Sequence, residues 1–494
     1  MLPVTGDTLA ARPGASAAAS PSFWRLALLG HRARVGAIAL LAAVAYGVLG
    51  LVKLATFRAT TFDLVIVDQA VRNYAALRPP YIPVLGMFHG RGMDYVQLAD
   101  HFSPIYALLA PFYWLHDGPE TLIVAQALLL AAAIPFIWLF TRRVLGVAPA
   151  YLVCVAYALA WPVAQAAAFD AHEVMFVPLL TAIMIERYHA GRVFPAALAM
   201  LALLLVKEDM GLMVIGAGLC LFVLGDRLRG VLSVAFGLGG VLLVRGLLIT
   251  FFGGDSKDFW AYHHLGPDIP GAVMALVRDP IAAVLLPFSE EAKVDTLFLM
   301  AWPTLLLCLL SPLSLVALPH VLERMLSDRA QWWQADFQYS AFTVVILLCA
   351  GVDGLARLLR LLKRPEDAGL KLAWSAAACV VALTLVPRFA LDQLYHPAFY
   401  EEPKAVAAAE AVRRVPAGVT VEAANSVGPA LTAKATVLLW TAESKGAPWV
   451  VADTARWEFP FGSPEDQLAE VNKLQGQGYV KVFEHDGYVV LRKT

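Results

Sequence analysis

The sequence predicts an all-α polytopic membrane protein that ends in a small soluble α/β domain. Three observations predict it. The chain of 494 residues is 59% hydrophobic and 16% charged, with a mean hydropathy of +0.66, whereas a soluble chain carries roughly a quarter charged residues. Apolar runs of about 17–25 residues, enough to cross a bilayer, recur over the first four-fifths. The remainder changes to short β-branched runs punctuated by Gly, Pro and Asn.

Taken in order, residues 1–30 are rich in Ala, Ser, Pro and Thr at their start and read as a disordered N-terminal tail without the apolar core of a signal peptide. Residues 31–392 form the transmembrane domain, with spans expected near 35–56, 120–141, 147–169, 173–189, 193–206, 210–225, 231–252, 296–311, 312–326, 338–360 and 372–391. That makes about eleven crossings. Lys and Arg cluster in "RLALLGHRAR", "TRRVLG", "ERYHAGR", "GDRLRG" and "RLLRLLKRPEDAGLK", and the positive-inside rule places all five in the cytoplasm. The N-terminus is then inside and the C-terminus outside. This parity requires "SPIYALLAPFYWLH" (103–116), whose apolar part is about 13 residues, to dip into the outer face as a re-entrant helix without crossing. The outer face then holds the first loop (57–103), with juxtamembrane helices, and the α/β domain at 393–494. Within that domain, "SPEDQLAEVNKLQGQG" reads as a helix with a Ser N-cap and a Gly stop.

Composition also excludes functions. A net charge of −1 offers no field for nucleic acid. Cys154, Cys220, Cys308, Cys349 and Cys379 stand singly in apolar segments and read as small buried hydrophobes. There is no Walker A loop, Rossmann glycine pattern, H-E-x-x-H or G-x-S-x-G. An enzyme on the outer face would therefore need a substrate activated beforehand and delivered through the membrane.

Charged residues collect in the outer loops. "TTFDLVIVDQAVR" carries Asp63 at a helix start and Asp68 about 140° further round; the two cannot act as one helical carboxylate pair. Asp68 lies one turn before Arg72, the spacing of an ordinary ion pair, so the bland reading is a cap and a pair. The sharper one has Asp63 or Asp68 face a polar cavity as a base or metal ligand, because an ionisable group at membrane depth is costly and usually functional. "HGRGMDYVQLADHFSP" brings His89, Arg91, Asp94, Asp100 and His101 to the bilayer interface, where cations at a helix start suit a phosphate. "FDAHEV" supplies Asp170, His172 and Glu173, a structural turn or a cation site. "VKEDMG" supplies Lys207, Glu208 and Asp209, a self-paired loop or a Lys on phosphate beside acids that orient a sugar. For a divalent cation (Mg, Mn or Ca) the candidate ligands are Asp63, Asp170 and Glu173. His263, His264, Arg329, Asp336 and the pair Trp332–Trp333 follow later, the tryptophans reading as an interfacial belt or as a sugar-stacking surface.

In this order, "TTFDLVIVDQA", "LADHFSPIYALLAPFYWL", "DAHEV", "VKED" and the closing α/β segment resemble the predicted membrane proteins of the domain-of-unknown-function family 2079, over roughly residues 55–490. That family is similar to the GT-C class of membrane glycosyltransferases, which includes the protein O-mannosyltransferases and the aminoarabinose transferase of lipid A. The resemblance implies a GT-C-like fold in a bacterial cytoplasmic membrane and transfer, with inversion, of a sugar from a polyprenyl-phosphate donor. The acceptor would be a glycan, lipid or protein on the outer face. It also implies Asp63 as first candidate for the catalytic acid and Asp68 as second, with Asp100–His101 in place of a His- or Lys-Pro-Pro motif and Asp170 as a second loop acid. Here Phe102–Ser103–Pro104 replaces the double proline. Phosphate contact falls to His101, Lys207 and Arg91, with Asp100, Asp170, His172, Glu173, Glu208 and Asp209 beside the substrate. A transporter using the same acids as an ion path is the alternative, although no inverted repeat is evident. A scaffold presenting the C-terminal domain is a third reading and predicts that these residues lie apart.

Overall fold

The computed structural model describes residues 21–255, 258 and 260–494; the first twenty residues of the expected tail lie outside that set. Helix begins at Pro21 and runs to Ala55, so the last ten residues assigned to the tail from composition are helical backbone.

Among the described residues, five helical segments are long and apolar enough to cross a bilayer: Gly30–Ala55, Glu120–Val144, Val147–Ala168, Arg227–Phe251 and Ala368–Arg388. A sixth arises if Ile269–Arg278 and Pro280–Phe288, bent by 104°, count as one. Expected spans elsewhere are shorter helices, Val177–His189, Val193–Leu204, Gly211–Val223 and Ser314–Leu326, or carry several charges, as Val344–Leu361 does with Asp353, Arg357 and Arg360. The expected span 296–311 is not one helix. Glu291–Ala301 stops at Trp302–Pro303, Leu305 and Leu306 turn left-handed (φ 53° and 62°), and a single 3-10 turn follows at Leu307–Leu310. Proline removes the N–H donor that would continue the ladder. The segment after "ADHFS" is a helix over Pro104–Tyr113, under about 20 Å long against a hydrocarbon core of about 30 Å.

Helices Gly211–Val223 and Arg227–Leu243 pack through glycine. Gly211 faces Gly237 and Gly218 faces Gly230, and a methyl group added at Gly230 would lie 2.8 Å from the Gly218 carbonyl. Small residues let helix backbones approach this closely.

The C-terminal unit is a five-stranded mixed sheet of strands β1 Thr420–Ala423, β2 Thr436–Leu439, β3 Trp449–Asp453, β4 Tyr479–His485 and β5 Tyr488–Lys493. They lie in the order β2-β1-β3-β5-β4. β1 pairs parallel with β2 and β3, and β5 pairs antiparallel with β3 and β4. Asp486 and Gly487 join β4 to β5 with φ of 49° and 89°, the doubly positive turn that suits a twisted hairpin. Helices Ala405–Arg414 and Pro464–Gly476 pack on the sheet, the second capped by Ser463.

The first loop shares a core with this domain. Phe57, Val65, Ala70, Ile82, Val84 and Leu85 pack in one buried cluster with Val421, Leu439 and Trp440. Thr61 N–H donates to the Asn425 carbonyl (2.6 Å), Phe62 N–H to Asn425 Oδ1 (3.0 Å), and Gln69 Nε2 to the Val437 carbonyl (2.8 Å). The loop thereby joins the helical bundle to the sheet.

Candidate functional site

At this junction lies a cavity of about 220 Å³. The loop after the first helix brings Phe62 and Asp63 to it, "VQLADH" brings Gln97, Asp100 and His101, and Tyr106 follows from the short apolar helix. The "DAHEV" turn contributes His172 and Glu173, "VKED" contributes Lys207, and the segment before Val344–Leu361 contributes Arg329, Gln331, Trp332, Gln338 and Tyr339.

Asp63 stands in the first turn after Thr60, its side chain 29% exposed, and Oδ1 lies 3.3 Å from His172 Nε2. His172 Nδ1 is 2.8 Å from the Asp170 carbonyl oxygen. Both ring nitrogens thus face acceptors, which the imidazolium alone can satisfy by donating twice. Burial disfavours that charge, but the Asp63 bond and charge outweigh it and lift His172 to about 9. Burial likewise pushes Asp63 up, and the His172 bond and charge, with Lys53, bring its carboxyl below the usual range.

Two further pairs place His101, Lys207 and Glu173 at the cavity wall, with Glu208 behind His101. His101 Nδ1 bonds Glu208 Oε1 at 2.8 Å; burial works against its charge and Glu208 prevails, raising the imidazole. Lys207 Nζ lies 3.0 Å from Glu173 Oε1, with both side chains at most 10% exposed, and Tyr106 OH donates to Glu173 Oε2 at 3.2 Å. Burial opposes the Lys207 ammonium and Glu173 restores it. Asp100 also faces the cavity, and burial raises its carboxyl despite His101. The result is a compact set of paired charges whose cations stay cationic in a half-enclosed space.

His89 also lines the cavity, whereas four other expected residues do not. Asp68 is fully buried on a different face, bonded by Tyr113 OH (2.7 Å) and Arg72 (3.2 Å). Asp170 is buried; it accepts from Thr60 N–H (2.7 Å) and pairs with Lys53 at the end of the first helix (3.2 Å). Arg91 reaches Asp258 and the Gly253 carbonyl, away from the cavity. Asp209 does not line the cavity and brings a carboxylate oxygen within 4.8 Å of His320 and Glu323 donor atoms. The cation set expected from Asp63, Asp170 and Glu173 is not assembled: Asp170 is engaged with Lys53 and Thr60, and Glu173 with Lys207. Among the described residues, three metal-type ligand atoms come within 4.8 Å of one another only at Asp209, His320 and Glu323.

Sequence reasoning passed over Gln97, Tyr106, Gln338 and Tyr339, which are ordinary residues until folding places them. Trp332 lines the cavity beside Arg329, although it also fits an interfacial belt. His320 and Glu323 carried a signal that went unused, ionisable groups inside an apolar run.

A helical bundle with several membrane-length segments, a sheet domain packed on its first loop and a charged cavity beside that loop describe a polytopic membrane protein with an internal polar site. The chain belongs to the family described as "Predicted membrane protein (DUF2079)", which it matches over residues 53–490. No curated protein matches it. Two solved structures align along nearly the whole chain. ArnT from Cupriavidus metallidurans bound to undecaprenyl phosphate gives a TM-score of 0.49 at 15% identity, covering 96% of this chain and 98% of that one. The apo state of the same protein gives 0.48 at 12%, covering 94% and 98%.

Proposed function

We propose that this protein is a membrane glycosyltransferase that moves a sugar from a polyprenyl-phosphate donor to an acceptor on the outer face of the membrane. What carries the reading is the meeting of Asp63, His101, Lys207 and Arg329 around one cavity. Beside it runs an apolar groove of about 640 Å³ lined by Ile105, Leu109, Phe112 and Phe176. Ile105 lines the groove and the next residue, Tyr106, lines the cavity, so a lipid tail and a charged head group have adjoining places.

In this mechanism the lipid lies in the groove and its phosphate meets His101, Lys207 and Arg329. Asp63 takes the proton of the acceptor hydroxyl, with His172 holding the carboxylate in place. The acceptor oxygen bonds to the anomeric carbon from the face opposite the leaving group. The carbon–oxygen bond to phosphate breaks with its electron pair, and polyprenyl phosphate departs, its charge met by the paired cations. Trp332 offers a flat apolar face to the sugar. The shorter helices complete about eleven crossings, with the N-terminus inside and the sheet domain, residues 393–494, outside.

The test is a reconstituted assay with a panel of labelled polyprenyl-phosphate sugars. The wild type should transfer label from at least one donor, and D63N should lose about 10²–10⁴-fold of that rate, the worth of a positioned base. D68N, altering a residue outside the cavity, should retain transfer in whatever fraction folds. Wild-type inactivity across the panel, or full activity in D63N, would overturn the assignment.

A further inference from the structure

We infer that Asp209, His320 and Glu323 form a binding site for one divalent transition-metal ion, behind the charged cavity. One donor atom from each residue lies within 4.8 Å of the others. His320 and Glu323 stand one turn apart on helix Ser314–Leu326 and so share a face, and Asp209 approaches from the turn before Gly211–Val223.

The polar atoms at this point are buried and unsatisfied. His320 is 2% exposed, and neither ring nitrogen has a hydrogen-bond partner; Asp209 Oδ1 and Glu323 Oε2 are likewise buried without one. Buried polar atoms are normally bonded, and each exception calls for an explanation such as an ion. An imidazolium bridging the two carboxylates would donate from both nitrogens, yet Nδ1 stands 3.5 Å from Glu323 Oε2 without a hydrogen bond.

The surroundings suit a ligand set. Arg245 Nη2 lies 3.5 Å from Glu323 Oε1, occupying the oxygen opposite Oε2, and Tyr262 OH donates to the Glu323 carbonyl (3.2 Å). Such outer contacts orient metal ligands. One imidazole with two carboxylates matches zinc or manganese better than magnesium or calcium, which favour oxygen alone. A bound ion would tie the Lys207–Glu208–Asp209 turn to the helix carrying His320, and so act as a positioning element for Lys207 and Glu208. The site stands on its own geometry, independent of the transfer reaction.

The test uses detergent-purified, chelator-stripped full-length protein titrated with Zn²⁺ and Mn²⁺, bound metal being counted by mass spectrometry. One saturable equivalent is expected. H320Q and E323Q should each weaken binding at least about tenfold, since even outer-shell partners are worth 10–100-fold, and H264Q should leave it unchanged. Should H320Q fail to fold, D209N, which keeps side-chain size, supplies the same comparison. No saturable binding, or equal affinity in the wild type and the folded ligand variants, overturns the site.

Discussion

Asp63 and His172 sit 3.3 Å apart at the wall of the cavity, and the pair makes a pH-dependent statement. The His172 imidazolium is held up to about 9 from an ordinary value of 6.5. Its contribution to stability is therefore complete below pH 6.5 and is lost as pH rises through 9. Thermal unfolding in detergent should fall over that window in the wild type, and the slope should be shallower in H172Q. Parallel profiles for the two proteins would show that the pair contributes nothing. Asp68 makes the contrast. Its carboxylate has Arg72 one turn away in sequence, and the fold adds Tyr113. Truncating one partner of such a buried pair costs about 3–5 kcal/mol, so D68N should lower the yield of folded protein.

At the scale of elements, the glycine seam between Gly211–Val223 and Arg227–Leu243 gives a graded prediction. A Leu at Gly230 would meet the backbone of Gly218 and Phe222, and overpacking of this kind costs about 1–3 kcal/mol. G230L should unfold at lower temperature, whereas G239A, on the same helix with nothing within 4 Å, should stay within about 0.5 kcal/mol of the wild type. Equal unfolding temperatures for the two variants would mean that the close approach is not stabilising. The helices of this bundle were largely legible because hydropathy is local. Their ends were less so: Pro303 ends a run that hydropathy alone continues through Leu310. Likewise Val177–His189 is preceded by a 3-10 turn over Glu173–Phe176, where composition continues an apolar span. Hydropathy averages over a window and does not see the hydrogen bond that a single proline removes.

For the whole molecule, the decisive contact is between the first loop and the sheet domain. A methyl group at Gly428 would fall 2.0 Å from Thr61 Oγ1, two residues before Asp63. G428A should loosen this joint: limited proteolysis should cut faster between residues 392 and 405, and transfer in the reconstituted assay should fall. G476A, with open space at its Cβ, should do neither, and identical behaviour of the two variants would separate the sheet domain from the site.

The sequence by itself determined that this chain is a membrane protein with an α/β end, and it marked four polar loop stretches as unusual. It placed Asp63, His101 and Lys207 among the candidates because ionisable groups in apolar surroundings stand out along the chain. Only the tertiary structure decided which of them meet. Asp63 and His172 are brought together from distant loops, and so are His101 and Glu208, while Asp68 and Arg91 are turned elsewhere. Asp209 meets His320 and Glu323 from a distant helix, an encounter with no local signature. The physical reason is that hydropathy and helix periodicity report each segment's preference for lipid or water. Which face of a segment meets which partner is settled by packing all of them at once.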